Sequence, residues 1–432
     1  MDELRGAAAV IAVGTGNALH GDRVLPVAVD ADPALVLEWL AKRVRWGSDR
    51  VACVSLTSDP APAAIIDAID DHMRRGAIDQ NSVVAQSMWW AKHFCETLKR
   101  EPRWACNAVA QWAGRPVFIV GAGMGLQRNG HLLAECQKRG PIVAVNSSVG
   151  ACLRWGVTPD LVVCLEGLDL SAHLAPLRDL NVPVALDVFS SPANWAASTN
   201  TLAIAHHESS IVPHLVHLGV CPTPYLASST CAAAALAIAW DASELILVGQ
   251  DNATHGGRAY ADGSPFAELS ATVEDGTLQY SGACKHAYDM AVVWRPGWRG
   301  GAAVASDNTF DHVIRWHSLA ARDTTITNAT EQGAAIPETF ERELADVVAS
   351  LPLAPRWTLG EVPTTSTTAT IAALVDAARH VLETKPPCAP RDFSVGLLWT
   401  SAAALSVPPH QRGEAQKRAI IEAATKVLEY LT

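Results

Sequence analysis

The amino-acid sequence predicts an α/β protein with a Rossmann-like central domain built on a mostly parallel sheet. Apolar runs of four to six residues, such as PVFIV and ELILV, recur through the middle of the chain. Helical stretches separate these runs, and glycine or polar residues follow where each run ends. Strands that are apolar along their whole length are typical of parallel sheets covered by helices on both faces.

The same pattern predicts three regions. In residues 1–113, strand-like AVIAV, VLPVAV and RVACVSL alternate with helical stretches, which indicates a small N-terminal α/β region. Residues 114–336 carry the regular alternation of strands and helices and form the Rossmann-like domain. Residues 337–432 contain ETFERELADVVASL and QKRAIIEAATKVLEYL, which are typical of helices. We therefore expect a helical C-terminal region.

Composition excludes several classes of protein. Of the 432 residues, 49% are hydrophobic and 18% are charged, which is typical of a globular protein. The net charge of −11 argues against a nucleic-acid or anionic-membrane surface. We find neither a signal peptide nor an apolar run of the ~18 residues that a membrane span needs. The ten cysteines are scattered singly, so we expect reduced thiols in a cytoplasmic protein.

Candidate site residues follow four of the central strands. They are Gly121, Gly123 and Gly125 after PVFIV, Asn146 and Ser147 after PIVAV, Glu166 after LVVCL, and Gln250 and Asp251 after ELILVG. In an open parallel sheet, ligands bind beyond the carboxyl ends of the strands, so these residues are expected to share one rim. A glycine turn lets backbone N–H groups approach an anion. The turn lacks a complete G-x-G-x-x-G and the P-loop lysine, which argues against NAD and P-loop chemistry.

Five segments in order, VGAGMGL, AVNSSVGACLRWGVTPDLVVCLE, SSTCAAAALAIAW, ILVGQD and ITNATEQGAAI, resemble a known family. The chain resembles the motility-associated-factor (Maf-type) glycosyltransferases, whose domain is shared with 6-hydroxymethylpterin pyrophosphokinases. The resemblance covers roughly residues 114–336. It implies a nucleotide or nucleotide-sugar of the CMP type bound at the rim of the sheet.

The resemblance assigns roles to particular residues. It implies nucleotide contacts from Gly121, Gly123, Gly125, Asn146, Ser147, Ser229, Thr230 and Gln250. Ser229 and Thr230 also begin a helix whose N-terminus can bind an anion. It matches Glu166 to an acidic residue of the family and Gln250 with Asp251 to the family's Gly-Gln-Asp, and Glu166, Asp251, His255 and Tyr260 are our candidate catalytic residues.

The chain departs from the family pattern at two places. The first turn reads Gly-Met-Gly-Leu, where the family has Gly-Pro-Ser-Leu, and Tyr260 stands where the family has a histidine. His255, a few residues earlier in the same loop, is a candidate general base for an acceptor hydroxyl. Asp251 is a candidate metal ligand or sugar contact.

Three functions remain open at this point. The first is a glycosyltransferase that uses a CMP-linked nonulosonic acid and a hydroxyl acceptor in a protein, a glycan or a small molecule. The second is a pyrophosphokinase-like or other nucleotide-dependent transferase, with Mg²⁺ held by Asp251 and Glu166. The third is a nucleotide-binding protein without catalysis. The sequence predicts no nucleic-acid partner, and it leaves the oligomeric state open.

Overall fold

The structure is a computed structural model that describes most of the chain from residue 89 onwards and short stretches before it. The described residues are 9–13, 24–28, 36, 51–55, 65–66, 69, 89–108, 111–205, 228–282, 290–384 and 412–432. The chain divides into two compact units, Met1–Ser87 with Ser401–Arg412, and Met88–Thr400 with Gly413–Thr432. The three regions that the sequence predicts, with boundaries after residues 113 and 336, stay a prediction.

The first unit contains a three-stranded parallel sheet. Its strands are β1 (Ala9–Val13), β2 (Val24–Val27) and β3 (Val51–Ser55), in the order β2-β1-β3. The side chains that pack into its core are Ile11, Val13, Val36, Ile65 and Ile69. The small α/β region predicted at the N-terminus is therefore present.

The second unit is built on an eight-stranded sheet in which every neighbouring pair is parallel. Its strands are β4 (Pro116–Val120), β5 (Ile142–Val145), β6 (Leu161–Cys164), β7 (Val184–Asp187), β8 (Thr201–Ile204), β9 (Glu244–Val248), β15 (Ile326–Asn328) and β16 (Phe340–Glu341). Four of them end within one residue of the apolar runs PVFIV, PIVAV, LVVCL and ELILV. The predicted mostly parallel sheet is confirmed.

The order of the strands places a topological switch point at the middle of the sheet. The order is β16-β15-β9-β4-β5-β6-β7-β8. From β4 the chain proceeds to one side as far as β8, and then returns to place β9 on the other side of β4. The carboxyl ends of β4 and β9 lie side by side, with Val120 paired to Val248. Ligands of open α/β sheets bind in the crevice at such a point.

Helices connect the strands and extend the C-terminal part of the chain. They are α1 (Leu126–Asn129), α2 (Leu133–Gln137), α3 (Val149–Arg154), α4 (Ser171–Leu174), α5 (Pro192–Ala196), α6 (Ser229–Ala239), α7 (Asn308–Ala320), α8 (Leu344–Ser350), α9 (Thr368–Thr384) and α10 (Arg412–Leu431), and residues 89–99 are also helical. The helical C-terminal region is confirmed. Of the helices in the described residues, none is both long and apolar enough to cross a membrane.

Helix α6 packs on the sheet because nearly all of its residues are small and apolar. Residues 231–237 are buried, and five of them are alanines, which let the helix axis come close to the strands. Ser228 caps the helix through its hydroxyl, which accepts a hydrogen bond from the Cys231 N–H at 3.3 Å. The N-terminus of α6 therefore lies at the carboxyl edge of the sheet.

An insertion between β9 and α7 was not predicted from the sequence. It contains two small antiparallel sheets, formed by β10 (Ser270–Glu274), β11 (Thr277–Ser281) and β12 (Met290–Ala291), and by β13 (Val293–Arg295) and β14 (Val304–Ser306). The insertion contacts the turn after β4, where the Ala261 N–H donates to the Ala122 carbonyl at 2.8 Å. It thus covers part of the switch-point crevice.

Three tryptophans attach the segment before β4 to the core of the second unit. Trp112 and Trp240 are fully buried, with ring centroids 4.5 Å apart, and Trp357 contacts Trp112 at 5.4 Å. The indole N–H of Trp240 donates to the Ala105 carbonyl at 2.7 Å. Residues 104–108 and 111–112, placed in the N-terminal region by the sequence interpretation, therefore pack with the central sheet.

The Trp240 hydrogen bond gives a test of this packing. Trp240→Phe keeps an aromatic ring but leaves the buried Ala105 carbonyl without its donor, so we expect a loss of about 1–3 kcal/mol in the free energy of unfolding. Urea denaturation followed by circular dichroism measures it. Trp294→Phe is the matched control, because Trp294 is 58% exposed and its replacement should change stability by less than about 0.5 kcal/mol. Equal stability of the two variants would contradict the assigned role of Trp240.

Candidate functional site

A buried carboxylate joins the two loops that meet at the switch point. Asp251 follows β9 and is 1% exposed. Its two oxygens accept the Gly125 N–H at 3.0 and 2.9 Å, and one of them also accepts the Gln332 side-chain N–H at 2.8 Å. The backbone carbonyl of Asp251 accepts the Ala334 N–H at 2.8 Å. Asp251 thereby fixes the glycine turn after β4 and the 330–334 segment after β15 in one arrangement.

The glycines of the turn are required by this close approach. A Cβ atom on Gly123 would lie 2.0 Å from the Asp251 carboxylate, and a Cβ on Gly125 would lie 2.6 Å from the Thr330 carbonyl. A Cβ on Gly121 would lie 2.6 Å from the Gly249 carbonyl. The N–H groups of all three glycines donate to protein acceptors. The structure thus gives Gly121, Gly123 and Gly125 a packing role, and their contact with a nucleotide stays a prediction.

Gln250, the other residue of the Gln-Asp pair, is also buried. Its side-chain N–H donates to the Ile119 carbonyl at 3.2 Å, and its backbone N–H donates to the Thr330 hydroxyl. Its side-chain carbonyl oxygen is buried without a partner. The neighbouring Gly249 adopts a φ of 62°, which turns the chain from β9 into the site. Gln250 therefore links β4, β9 and the 330–334 segment.

Tyr260 and His255 lie on the insertion in different environments. Tyr260 forms an isolated antiparallel bridge with Gly123, which places the tyrosine over the glycine turn. Burial raises the pKa of Tyr260 to about 12, and the carboxylates of Asp307 and Glu166 act in the same direction. His255 is exposed to solvent. At neutral pH the Tyr260 phenol is therefore protonated and able to donate a hydrogen bond.

Glu166 lies two residues beyond the carboxyl end of β6. Its side chain is exposed to solvent, yet the surrounding protein desolvates it enough to raise its pKa. The space above the strand ends that is bordered by Glu166 and by Tyr260 over the glycine turn is the candidate cleft. The Ser229 hydroxyl accepts the Leu165 N–H at 3.0 Å, which brings the start of α6 to the same edge, with Thr230 next along the helix.

Asn146 and Ser147 follow β5 on the same rim. Asn146 is buried, and its amide lies 3.5 Å from the His173 ring. Ser147 is half-buried. The His173 ring contacts Phe266, with ring centroids 5.5 Å apart, and Phe266 in turn contacts Tyr260 at 5.1 Å. The rim residues after β5 are thereby connected to the insertion that covers the glycine turn.

The structure brings the predicted residues to one edge of the sheet, but with different access to a ligand. Glu166, Ser147, Ser229, Thr230 and Tyr260 are exposed or half-buried. Asp251 and Gln250 lie beneath them as buried supports. Catalytic and nucleotide-binding roles for all of these residues stay predictions.

Sequence reasoning missed several residues of this region. Asp187 ends β7 and lies beside Glu166, and the same rule of polar residues at strand ends could have found it. Asp307 caps α7 and accepts a hydrogen bond from the Tyr280 hydroxyl at 2.7 Å. His173 and Phe266 carry no signal in the sequence, because each reaches the site only through tertiary packing.

A metal site at Asp251 does not fit the residues present. Both carboxylate oxygens already accept N–H groups from the protein. Within the described part of the chain, no three His, Cys, Asp or Glu side chains are close enough together to hold a metal ion. Magnesium prefers several oxygen ligands with near-octahedral geometry. We therefore derive no step through a metal held by Asp251.

A cavity of about 540 Å³ lies at the opposite edge of the sheet. Its lining includes Arg100, Asn181 and Thr364, and also Asn200 and Thr201 at the start of β8. None of the predicted site residues contributes to it. Because ligands of this fold class bind beyond the carboxyl ends of the strands, we place the candidate site at the switch point instead.

These features define a class of protein: a doubly wound α/β protein with a candidate ligand site where its strand order reverses. Residues 92–257 match the family model described as 6-hydroxymethylpterin diphosphokinase MptE-like. The resemblance seen in the sequence is thereby confirmed for this stretch of the chain, which is similar to that family.

One solved structure supports the same fold assignment. It is described as a MAf glycosyltransferase from Magnetospirillum magneticum AMB-1, and it matches with a TM-score of 0.55 and 15% sequence identity. The match covers 94% of this chain and 69% of that chain. At this identity the likeness shows the fold alone. No curated protein sequence matches the chain.

Burial of Asp251 predicts a particular dependence of stability on pH. Burial raises its pKa to about 6, from an ordinary value near ~3.9. The stability contributed by its protonated form is therefore fully present below pH ~4 and is lost as pH rises through about 6. Relative to Asp251→Asn, the wild type should lose about 3 kcal/mol between pH 4 and 7, as measured by urea denaturation.

Asp262→Asn provides a control with the opposite sign. Asp262 pairs with Arg258 at 2.7 Å, and this hydrogen bond lowers its pKa. The stability that the ionised Asp262 carboxylate contributes to the folded state should therefore be lost as pH falls rather than as pH rises. If the wild-type and Asp251→Asn stability curves run parallel from pH 4 to 7, the Asp251 carboxyl does not titrate as its burial implies.

Proposed function

We propose that the protein is a transferase, and more specifically a glycosyltransferase that uses a CMP-linked nonulosonic acid and a hydroxyl acceptor. The observation that carries the proposal is the carboxyl edge of the sheet, where Glu166 is exposed to solvent and its charge acts on the protonated Tyr260 that bridges the glycine turn. The MptE-like match and the fold of a Maf glycosyltransferase support the transferase class. The sequence resemblance is the basis for the CMP-type donor.

The charges around the cleft favour a donor with few phosphates. Arg258 and Arg154 both pair with Asp262, at 2.7 and 4.0 Å, and Arg128 pairs with Glu331 at 3.7 Å. The described arginines on the loop and helices that border the site thus have carboxylate partners. A triphosphate requires several free cations or a metal, whereas a CMP-linked sugar presents one phosphate at the reacting bond. This balance supports the CMP-linked donor over ATP.

The proposed reaction uses two of these groups directly. Glu166 accepts the proton of the acceptor hydroxyl as that oxygen attacks the sugar carbon. Tyr260 donates a hydrogen bond to the phosphate oxygen that leaves with CMP. The raised pKa of Glu166 makes it a stronger base than an ordinary carboxylate. His255 is the alternative base, because it is exposed on the same insertion.

A second candidate function is pyrophosphoryl transfer from ATP to a small molecule. The specific observation in its favour is the match of residues 92–257 to a diphosphokinase-like family model. In that reaction, magnesium would arrive bound to the nucleotide phosphates. The third candidate is nucleotide binding without catalysis. Such a protein would bind a nucleotide as the other two do but would show no turnover.

A ligand-binding experiment separates these candidates. We expect CMP and CDP to raise the melting temperature without added metal, since a ligand at about 100 Kd adds about 2.7 kcal/mol to stability. A shift with ATP and Mg²⁺ alone would favour pyrophosphoryl transfer. A shift with CMP but no turnover of any CMP-linked sugar would favour the non-catalytic candidate. No shift with either nucleotide would contradict all three.

The pH profile of turnover identifies the base. If Glu166 is the base, Glu166→Gln should lower kcat by roughly 10²–10⁴-fold and remove the acid limb of the profile. Under the same proposal His255→Ala keeps the acid limb. Tyr260→Phe is the control for a hydrogen-bond donor, because it should lower kcat without changing the position of that limb. Loss of the acid limb in His255→Ala, with Glu166→Gln unaffected, would transfer the role to the histidine.

A further inference from the structure

Asp187 is a buried carboxyl group to which the proposed mechanism gives no role. It ends β7 and is 4% exposed. One of its oxygens accepts the Phe189 N–H at 2.8 Å, while the other is buried without a hydrogen-bond partner. An ionised carboxylate in this position would leave one oxygen unsatisfied, which is energetically costly.

A network of buried hydrogen bonds fixes the backbone of Glu166 against the segment that follows Asp187. The Ser190 hydroxyl donates to the Glu166 carbonyl at 3.0 Å. The Asn194 side chain donates to the Ser190 hydroxyl at 2.9 Å and to the Leu168 carbonyl at 2.8 Å. Its carbonyl oxygen accepts the Leu170 N–H at 2.7 Å. Glu166 is therefore held in place next to β7.

Of the titratable groups around Asp187, Glu166 is the one that carries a charge near pH 7. The negative charge of Glu166 raises the pKa of Asp187. Cys164 on β6 is a buried thiol whose pKa is raised to about 12 by desolvation, so it stays neutral. His93, on the helix over residues 89–99, contacts the Phe189 carbonyl, and burial lowers its pKa, so it too is neutral near pH 7. Burial raises the pKa of Asp187 to about 7, and the charge of Glu166 acts in the same direction.

We propose that Asp187 is a positioning residue that keeps its proton up to neutral pH next to an ionised Glu166, so that the pair then carries a single negative charge. This inference rests on the proposed function for its consequence in catalysis. A single charge keeps Glu166 available as the base while a CMP-linked donor, itself an anion, binds close by. Ionisation of Asp187 would place a second negative charge in the cleft and oppose that binding.

The titration of the pair can be measured in the free protein, without any substrate. We expect ¹³C-carboxyl NMR to show Asp187 titrating near pH 7 in the wild type. Glu166→Gln should lower that midpoint by on the order of one unit, because it removes the like charge. Asp169→Asn is the matched control on the same exposed loop and should leave it unchanged. An Asp187 midpoint near 4, or one unaffected by Glu166→Gln, would overturn the proposal.

Turnover gives a second, separate readout. In the wild type, kcat/KM for the CMP-linked donor should fall on the order of tenfold as pH rises through 7 to about 8.5. Asp187→Asn should stay flat over this range, because asparagine preserves the Phe189 contact and cannot ionise. A loss of kcat/KM with the same pH profile as the wild type would indicate a structural role only and would overturn the proposal. If the NMR result holds and no CMP-linked sugar reacts, the proposed function fails while the protonated Asp187 beside Glu166 stands.

Discussion

The hydrogen bonds between the Asp251 carboxylate and the glycine turn hold the rest of the candidate site in place. They join the carboxyl ends of β4 and β9, and Gln332 ties the segment after β15 to the same group. The insertion rests on that turn through Ala261 and Tyr260. Gln250 and the backbone hydrogen bond from Gly123 to Gly249 join the same loops, so Asp251 completes a connection across the switch point that they share. A buried charged group is costly by itself, so its hydrogen bonds must be complete.

Much of the fold follows from local patterns in the sequence. The all-apolar runs at 116–120 and 245–248 predict buried parallel strands because each must face helices on both sides. Polar residues at strand ends predict the site, because the carboxyl ends of parallel strands meet at one edge of the sheet. The same rule applies to Asp187 at the end of β7. The insertion between β9 and α7 escapes this reasoning, because its short antiparallel strands are half-exposed and carry no strong periodicity.

The roles within the site are harder to predict than its location. Asp251 and Glu166 are both acidic residues after apolar strands, and the sequence gives no reason to separate them. The structure separates them by environment: Asp251 has donors for both oxygens, while Glu166 contacts solvent in a cleft. Burial and hydrogen bonding depend on partners such as Gln332 and Ser190, which are distant in the sequence. Spacing along the chain therefore identifies the rim but not which carboxylate reacts.

The strand order has a consequence for how the chain folds. The hydrogen bond from Gly125 to Asp251 spans 126 residues, and β4 can pair with β9 only after the chain has passed through β5 to β8. Long-range parallel pairings of this kind form slowly, because loop-closure entropy must be overcome before the contacts stabilise the chain. During synthesis, the strands from β4 to β8 emerge first, with the β9 edge of β4 still unpaired. The crevice is then completed late in folding, when β9 adds to that edge.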